Sequence, residues 1–145
     1  MRFDEKDKQL LRLLSENARS AVSDLARALG LARTTVQARI ERLENSGYIA
    51  GYTLRKGASA RPMLRASALL SVEPRSGAAV LQKLKTLLQV EKVHTTSGRF
   101  DLLVELSAQS TEELDETLDD IGATRGVKSS ESLIHLSTKI DLSLI

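Results

Sequence analysis

Within the first 47 residues the apolar positions recur three and four apart in three separate runs, each closed by a turn signal. That pattern leaves the chain few ways to begin. Leu10, Leu11 and Leu14 predict an amphipathic helix over Asp4 to Glu16, with Lys6, Lys8, Arg12 and Glu16 on much of its other side. Asn17 to Ser20 interrupts it. Val22, Leu25, Ala26 and Leu29 then predict a short second helix, ended by Gly30, a residue free to adopt the left-handed conformation. A third run follows Ala32, with Val36, Ile40 and Leu43 on one stripe, and closes at Asn45-Ser46-Gly47. Tyr48 to Leu54 is rich in strand formers and broken by Gly51, as expected of a small hairpin or wing.

Composition shifts after that point. Arg55 to Pro62 has almost nothing to bury and is punctuated by Gly57 and Pro62, so a linker is expected over residues 55–63, between domains at 1–54 and 64–145. The second part alternates periods. Leu64 to Val72 reads as a strand ended by Pro74, and Gly77 to Gln89 as a helix. Val90 to Thr96 and Phe100 to Leu106 read as a strand pair around the turn Ser97-Gly98-Arg99. Ser110 and Glu113 have capping-box spacing ahead of a second helix ending between Gly122 and Gly126, and Val127 to Thr138 reads as the last strand. The order βαββαβ is the ferredoxin-like one, two helices on one face of an antiparallel sheet. The expected fold class is therefore α+β, a winged helix-turn-helix followed by a ferredoxin-like domain. Aliphatic side chains from the first, third and fourth strands are expected on the uncovered face, and a second copy of the chain is the expected cover.

Composition narrows the chemistry. With no Cys, disulfides, thiolate metal sites and thiol catalysis are excluded, and with 3% aromatic residues against 25 Leu the core must be aliphatic. No apolar run approaches a signal-peptide core or a bilayer span of about 20 residues, so a cytoplasmic protein without membrane contact is expected. The net charge of +2 is unevenly spread: residues 1–62 hold 12 Lys and Arg against 7 Asp and Glu, and residues 63–145 hold 9 against 12. The front half suits a polyanion.

The most informative stretch is Ser23 to Leu43. Ala26 lets the next helix cross closely, Gly30 makes the turn, and Val36 and Ile40 pin the third helix to the core. Arg33, Thr34, Gln37, Ala38 and Glu41 are then left on the projecting side. Such a helix fits the DNA major groove, where Gln pairs with adenine, Arg with guanine, and a Thr or Ala methyl meets a thymine methyl. Thr35, Arg39 and Arg42 lie nearer the flanks, in reach of phosphates. An ordinary solvated helix face would show the same periodicity.

A longer series of positions adds to this. Asp4-x-x-Asp7-x-x-Leu10-Leu11, Ala18-Arg19, Asp24-Leu25-Ala26, Gly30-Leu31, and Val36-x-x-Arg39-Ile40-x-Arg42-Leu43-Glu44 through Gly47-Tyr48-Ile49-x-Gly51-Tyr52-Thr53 resemble the DNA-binding half of the Lrp/AsnC, or feast/famine, transcription regulators. Val93 to Gly98, Phe100 to Val104 and Gly126-Val127 extend the likeness through the second half. The resemblance implies double-stranded DNA as partner, an effector domain that pairs as a homodimer and in this family often assembles further into a ring of dimers, and a small-molecule effector, usually an amino acid. It implies effector contacts from Thr96, Ser97, Gly98, Arg99 and Asp101 on one side and from Ser130 and Ser132 of a neighbour on the other. Turn amides can hold a carboxylate, Asp101 an ammonium, and Ser hydroxyls can complete the shell. Turn capping alone would equally explain Asp101, and a hairpin requirement Gly98. One departure stands out: Ala32-Arg33 replaces the Ser-Pro that commonly opens the third helix, which removes a cap worth about 1 kcal/mol and adds a charge.

Two other readings share these residues. Some proteins resembling the family are tetrapyrrole decarboxylases that rely on histidines and arginines. Here only His94 and His135 are present, on different strands, and satisfied sheet histidines are the expected reading. An architectural DNA-compacting protein would use the same third helix without an effector. No catalytic, metal-ligand or cofactor constellation is expected.

Overall fold

The computed structural model describes residues 2–55, 57 and 63–142. The chain divides into two compact units, Met1–Lys56 with Ile140–Ile145 and Gly57–Lys139. The first holds α1 (Glu5–Glu16), α2 (Val22–Leu29) and α3 (Arg33–Asn45). Asp4 caps α1: its carboxylate accepts the Asp7 N–H while Asp7 accepts the Asp4 N–H, a reciprocal capping box. Gly30 ends α2 at φ 66, in the left-handed conformation that its lack of a Cβ permits. Leu10, Leu14, Leu25, Ala26, Leu29, Val36 and Leu43 form one aliphatic core under all three helices. Phe3 packs against the edge of that core and stacks on the exposed Tyr48 at 4.9 Å between ring centroids.

The expected wing is absent as a strand pair. Tyr48 to Leu54 carries no helix and no strand pairing among the described residues. Strand formers supply only half of a hairpin, because a ladder needs a partner at the right register.

The second unit contains β1 (Leu64–Val72), α4 (Gly77–Lys85), β2 (Val90–Thr95), β3 (Leu102–Ala108), α5 (Thr111–Gly122) and β4 (Val127–Ile134). The sheet order is β2-β3-β1-β4, antiparallel throughout, as the βαββαβ order requires. Ala66, Ala68 and Leu70 of β1 and Leu102, Val104 and Leu106 of β3 are buried with Val80 and Leu84 of α4 and Leu114 and Ile121 of α5. One face of the sheet is thus closed by two helices. The α4 helix stops short of the expected Gln89, since Thr86 caps it and turns its hydroxyl back to the Lys83 carbonyl at 2.7 Å. The Ser110 hydroxyl accepts the Glu113 N–H at 3.2 Å, but Glu113 reaches one residue further than expected, to the Gln109 N–H.

The uncovered face carries one leucine from each of β1, β3 and β4, as expected, but among polar and charged side chains. Alternation and register place Arg65, Ser67, Leu69 and Ser71 of β1, Leu103, Glu105 and Ser107 of β3, and Glu131 and Leu133 of β4 on it. Arg65 pairs with Glu91 at 2.8 Å, His94 with Glu105 at 3.2 Å, and the Ser67 hydroxyl with His135 at 2.9 Å. The Ser107 hydroxyl, and after it the Arg65 guanidinium, hold the Glu91 carboxyl below its ordinary value. Leu69 and Leu103 stand directly opposite each other on this face, with Leu133 of β4 as its third leucine.

Gly126 sits at φ 101, and a Cβ built on it would lie 2.6 Å from the Ser76 Cβ. This contact seats the start of β4 against the start of α4. Gly126→Ala is expected to cost about 1–3 kcal/mol in urea unfolding, from strain and overpacking together.

Candidate functional site

The third helix is set by charges on the first. Asp7 has no exposed surface and lies on the same stripe of α1 as Leu10 and Leu14. A carboxylate there must be paired. The Arg39 guanidinium donates to Asp7 at 2.9 Å and to both Asp4 oxygens at 2.8 and 2.9 Å, and Arg42 donates to Asp7 at 2.7 Å. Two arginines one turn apart on α3 thus grip the first turn of α1. The adjoining Lys6 donates to the Leu29 carbonyl at 2.6 Å, closing the end of α2. Backbone and Arg39 hydrogen bonds lower the Asp4 pKa, and the two aspartates raise that of Arg39.

With that side tethered, Arg33, Thr34, Thr35, Gln37, Ala38 and Glu41 are all exposed, while Val36 and Leu43 have no exposed surface. The outward face carries the residue types that read base edges. Ala32 precedes α3 without a side-chain cap, as its sequence departure implies, so the first N–H groups of the helix remain open to a phosphate. The placing of Arg39 and Arg42 differs from the expectation. Arg39 is only 19% exposed at its side chain and is engaged by two carboxylates, and Arg42 shares one of them. Their first task is to orient α3.

In the second unit, residues 96–101 form the connection between β2 and β3, longer than the expected three-residue turn. Thr96 donates its N–H to the Asp101 carbonyl at 3.0 Å and its hydroxyl to the Phe100 carbonyl. Asp101 donates its N–H to the Leu70 carbonyl at 2.8 Å, and its carboxylate accepts the Val72 N–H at 2.8 Å. Asp101 therefore clips the connection onto the end of β1, the turn-capping role. Ser97, Gly98 and Arg99 are exposed, with Gly98 at φ 104. Arg99 lies 5.2 Å from the centroid of the Phe100 ring and pairs with Glu131 at 3.7 Å. Ser130 and Ser132 stand opposite Leu70 and Ala68, so they lie on the helix side of β4, while Glu131 between them faces the open side. One chain alone does not gather the turn and the two serines on one face.

Family models match this architecture along most of the chain: an AsnC-type helix-turn-helix domain at residues 3–44 and the Lrp/AsnC ligand binding domain at residues 65–144. The chain belongs to the Lrp/AsnC family of transcriptional regulators. An HTH-type transcriptional regulator of Pyrococcus furiosus is 33% identical over 94% of both chains. The feast or famine regulatory protein of M. tuberculosis, solved in complex with L-methionine, is 28% identical over 95% of both chains with a TM-score of 0.80. E. coli AsnC shares the fold at a TM-score of 0.86 over 97% of both chains, with 23% identity.

Within this Lrp/AsnC chain, sequence reasoning missed what Asp4, Lys6, Asp7 and Glu131 do. The signal was present for Asp7, three residues before Leu10 on an otherwise apolar stripe. His94 and His135 each have a partner on the open sheet face, Glu105 and Ser67, as the reading of satisfied sheet histidines expects. Among the described residues no helix is long and apolar enough to cross a membrane.

Removing one member of a buried ion pair strands the other. Asp7→Ala is expected to destabilise the first unit by about 3–5 kcal/mol, read by thermal or urea unfolding. Because the folded Asp4 pKa lies below 3.8, its stabilisation is complete above that value and is lost as pH falls through and below it. Asp4→Asn, which keeps a capping side chain, is expected to flatten that part of the acid-unfolding curve.

Proposed function

We propose that this regulator inserts α3 into the major groove of double-stranded DNA, with Arg33, Thr34, Gln37 and Ala38 at base edges and Thr35 at a phosphate. The observation that carries the reading is the division of α3 into a buried stripe of Val36 and Leu43 and an exposed side bearing those residues. A groove about 12 Å wide admits one helix, and Gln and Arg there make bidentate pairs worth about 1–3 kcal/mol of discrimination. Arg39 and Arg42 act mainly by holding the helix at its angle, and Arg42, 42% exposed at its side chain, retains reach toward the backbone. A homodimer supplies two such helices to successive turns of the duplex. Leucines and isoleucines exposed along Leu133 to Leu142 support self-association of the chain, as dimers and as a ring of dimers.

The effector we assign is an amino acid. The open connection at Thr96, Ser97, Gly98 and Arg99 offers amides and a guanidinium to a carboxylate, with Asp101 fixing its position. Ser130 and Ser132 complete the shell from a neighbouring copy, consistent with their lying on the other side of β4 within one chain. The M. tuberculosis relative with bound L-methionine supports this ligand class.

Gel-shift titrations on genomic fragments test the DNA reading. Gln37→Ala is expected to change the ranking of sites, and Arg33→Ala to weaken the best site by about tenfold. Equal losses on every duplex, preferred or not, would remove base readout from Gln37. A thermal-shift panel of the twenty amino acids tests the effector: at least one is expected to raise the melting temperature, and Arg99→Ala to abolish the rise. A flat panel with the unaltered protein overturns the assignment.

A further inference from the structure

The second unit carries a cationic pocket that neither helix-turn-helix geometry nor the β2–β3 connection uses. A cavity of about 480 Å³ opens between the start of α4 and the end of α5, lined among others by Arg75, Ser76, Lys83, Asp120 and Arg125. Residues 63–145 are acidic overall, with 9 Lys and Arg against 12 Asp and Glu. Three of those nine cations converge on this one cavity. None of the three has a hydrogen-bond or ion-pair partner at its side chain among the described residues. Arg65 and Arg99 of the same unit, by contrast, are each paired with a glutamate. Three cations that make no ion pair, with a single carboxylate among the lining residues of a cavity of this size, form an electrostatic sink for a compact anion.

The pocket is held in shape from behind. Gly126 presses on Ser76 with no room for a side chain, and the Glu73 N–H donates to the Gly126 carbonyl at 2.7 Å. Arg75 and Arg125 each stand one residue before that contact, so it holds their backbones near each other while both side chains are exposed. Arg75 is the only non-glycine at positive φ among the described residues, at φ 70. The Ser76 hydroxyl does not cap α4, so the first N–H groups of the helix have no side-chain acceptor. Within the lining, Asp120 is the one carboxylate, suited to accept from a hydroxyl or amino group.

We propose that this pocket binds a small molecule carrying a phosphate or diphosphate group, held by Arg75, Lys83 and Arg125, with Asp120 receiving a hydroxyl or amine of the same molecule. Arginine forks and lysine point charges are the groups that recognise phosphate. A concave site favours a compact ligand over a duplex, whose backbone needs an extended ridge. The assignment is independent of the amino-acid site, since none of its residues belongs to the β2–β3 connection or to β4.

Calorimetric titration of the full chain with sodium pyrophosphate, at fixed ionic strength, tests it. Saturable binding is expected, weakened about tenfold by Arg125→Ala and by Lys83→Ala, the loss of one charge-assisted contact. Lys139→Ala, a cation outside the pocket, is expected to leave it unchanged. Adenosine 5′-diphosphate is expected to bind more tightly than pyrophosphate, with Asp120→Asn erasing the difference. Equal affinity for the two would overturn the organic carrier and leave free phosphate as ligand. Absence of saturable heat, or equal affinity in all three alanine variants, overturns the site. So does loss of duplex affinity in Arg125→Ala without any pyrophosphate binding, which would make the cations a DNA contact instead.

Discussion

Asp7 is a fully buried carboxylate, and the energetic demand of burying that charge organises the DNA-binding unit. A carboxylate removed from water is tolerable only with partners close by, and the two that reach it, Arg39 and Arg42, sit one turn apart on α3. The same aspartate closes the capping box of α1, and its neighbour Lys6 closes α2. Three short helices, each marginal by itself, are thereby locked at fixed angles by the first turn of one of them. Exposure of Gln37 and Arg33 is the other side of that lock: with one flank tied down, the remaining face of α3 must look outward.

In the second unit the corresponding constraint is the fit of loops onto strand ends. Asp101 pins the β2–β3 connection to β1, and Gly126 lets β4 begin against α4. These two ties place the exposed amides of residues 97–99 at one location and the cationic pocket at another. The open sheet face carries polar pairs around Leu69, Leu103 and Leu133, while α4 and α5 cover the other face.

Helix positions were readable because their punctuation is local. Gly30, Asn45-Ser46-Gly47 and the Ser110 cap act within one turn of chain, and the structure uses each of them. Strand lengths were less readable, since pairing decides them. The β4 strand pairs with β1 as far as Ile134, opposite Ala66, with the His135 N–H still donating to the Arg65 carbonyl, and no further strand pairing follows among the described residues. The segment Tyr48 to Leu54 likewise has no strand pairing among the described residues. The candidate DNA-reading face was legible from period alone, whereas the roles of Arg39 and Arg42 were not, because their partners lie more than thirty residues away.

By itself the sequence determined the two-part architecture, the helix-turn-helix spacing, the βαββαβ order and an aliphatic core, all of which follow from periodicity and from residues acting on near neighbours. Tertiary structure alone decided which charges serve folding and which remain free. Arg39 and Asp101 are bound into the frame, while Arg75, Lys83 and Arg125 are left facing a cavity. A charge carries the same sign wherever it stands in a sequence, but its availability depends on the distance to its counter-charge, and folding sets that distance.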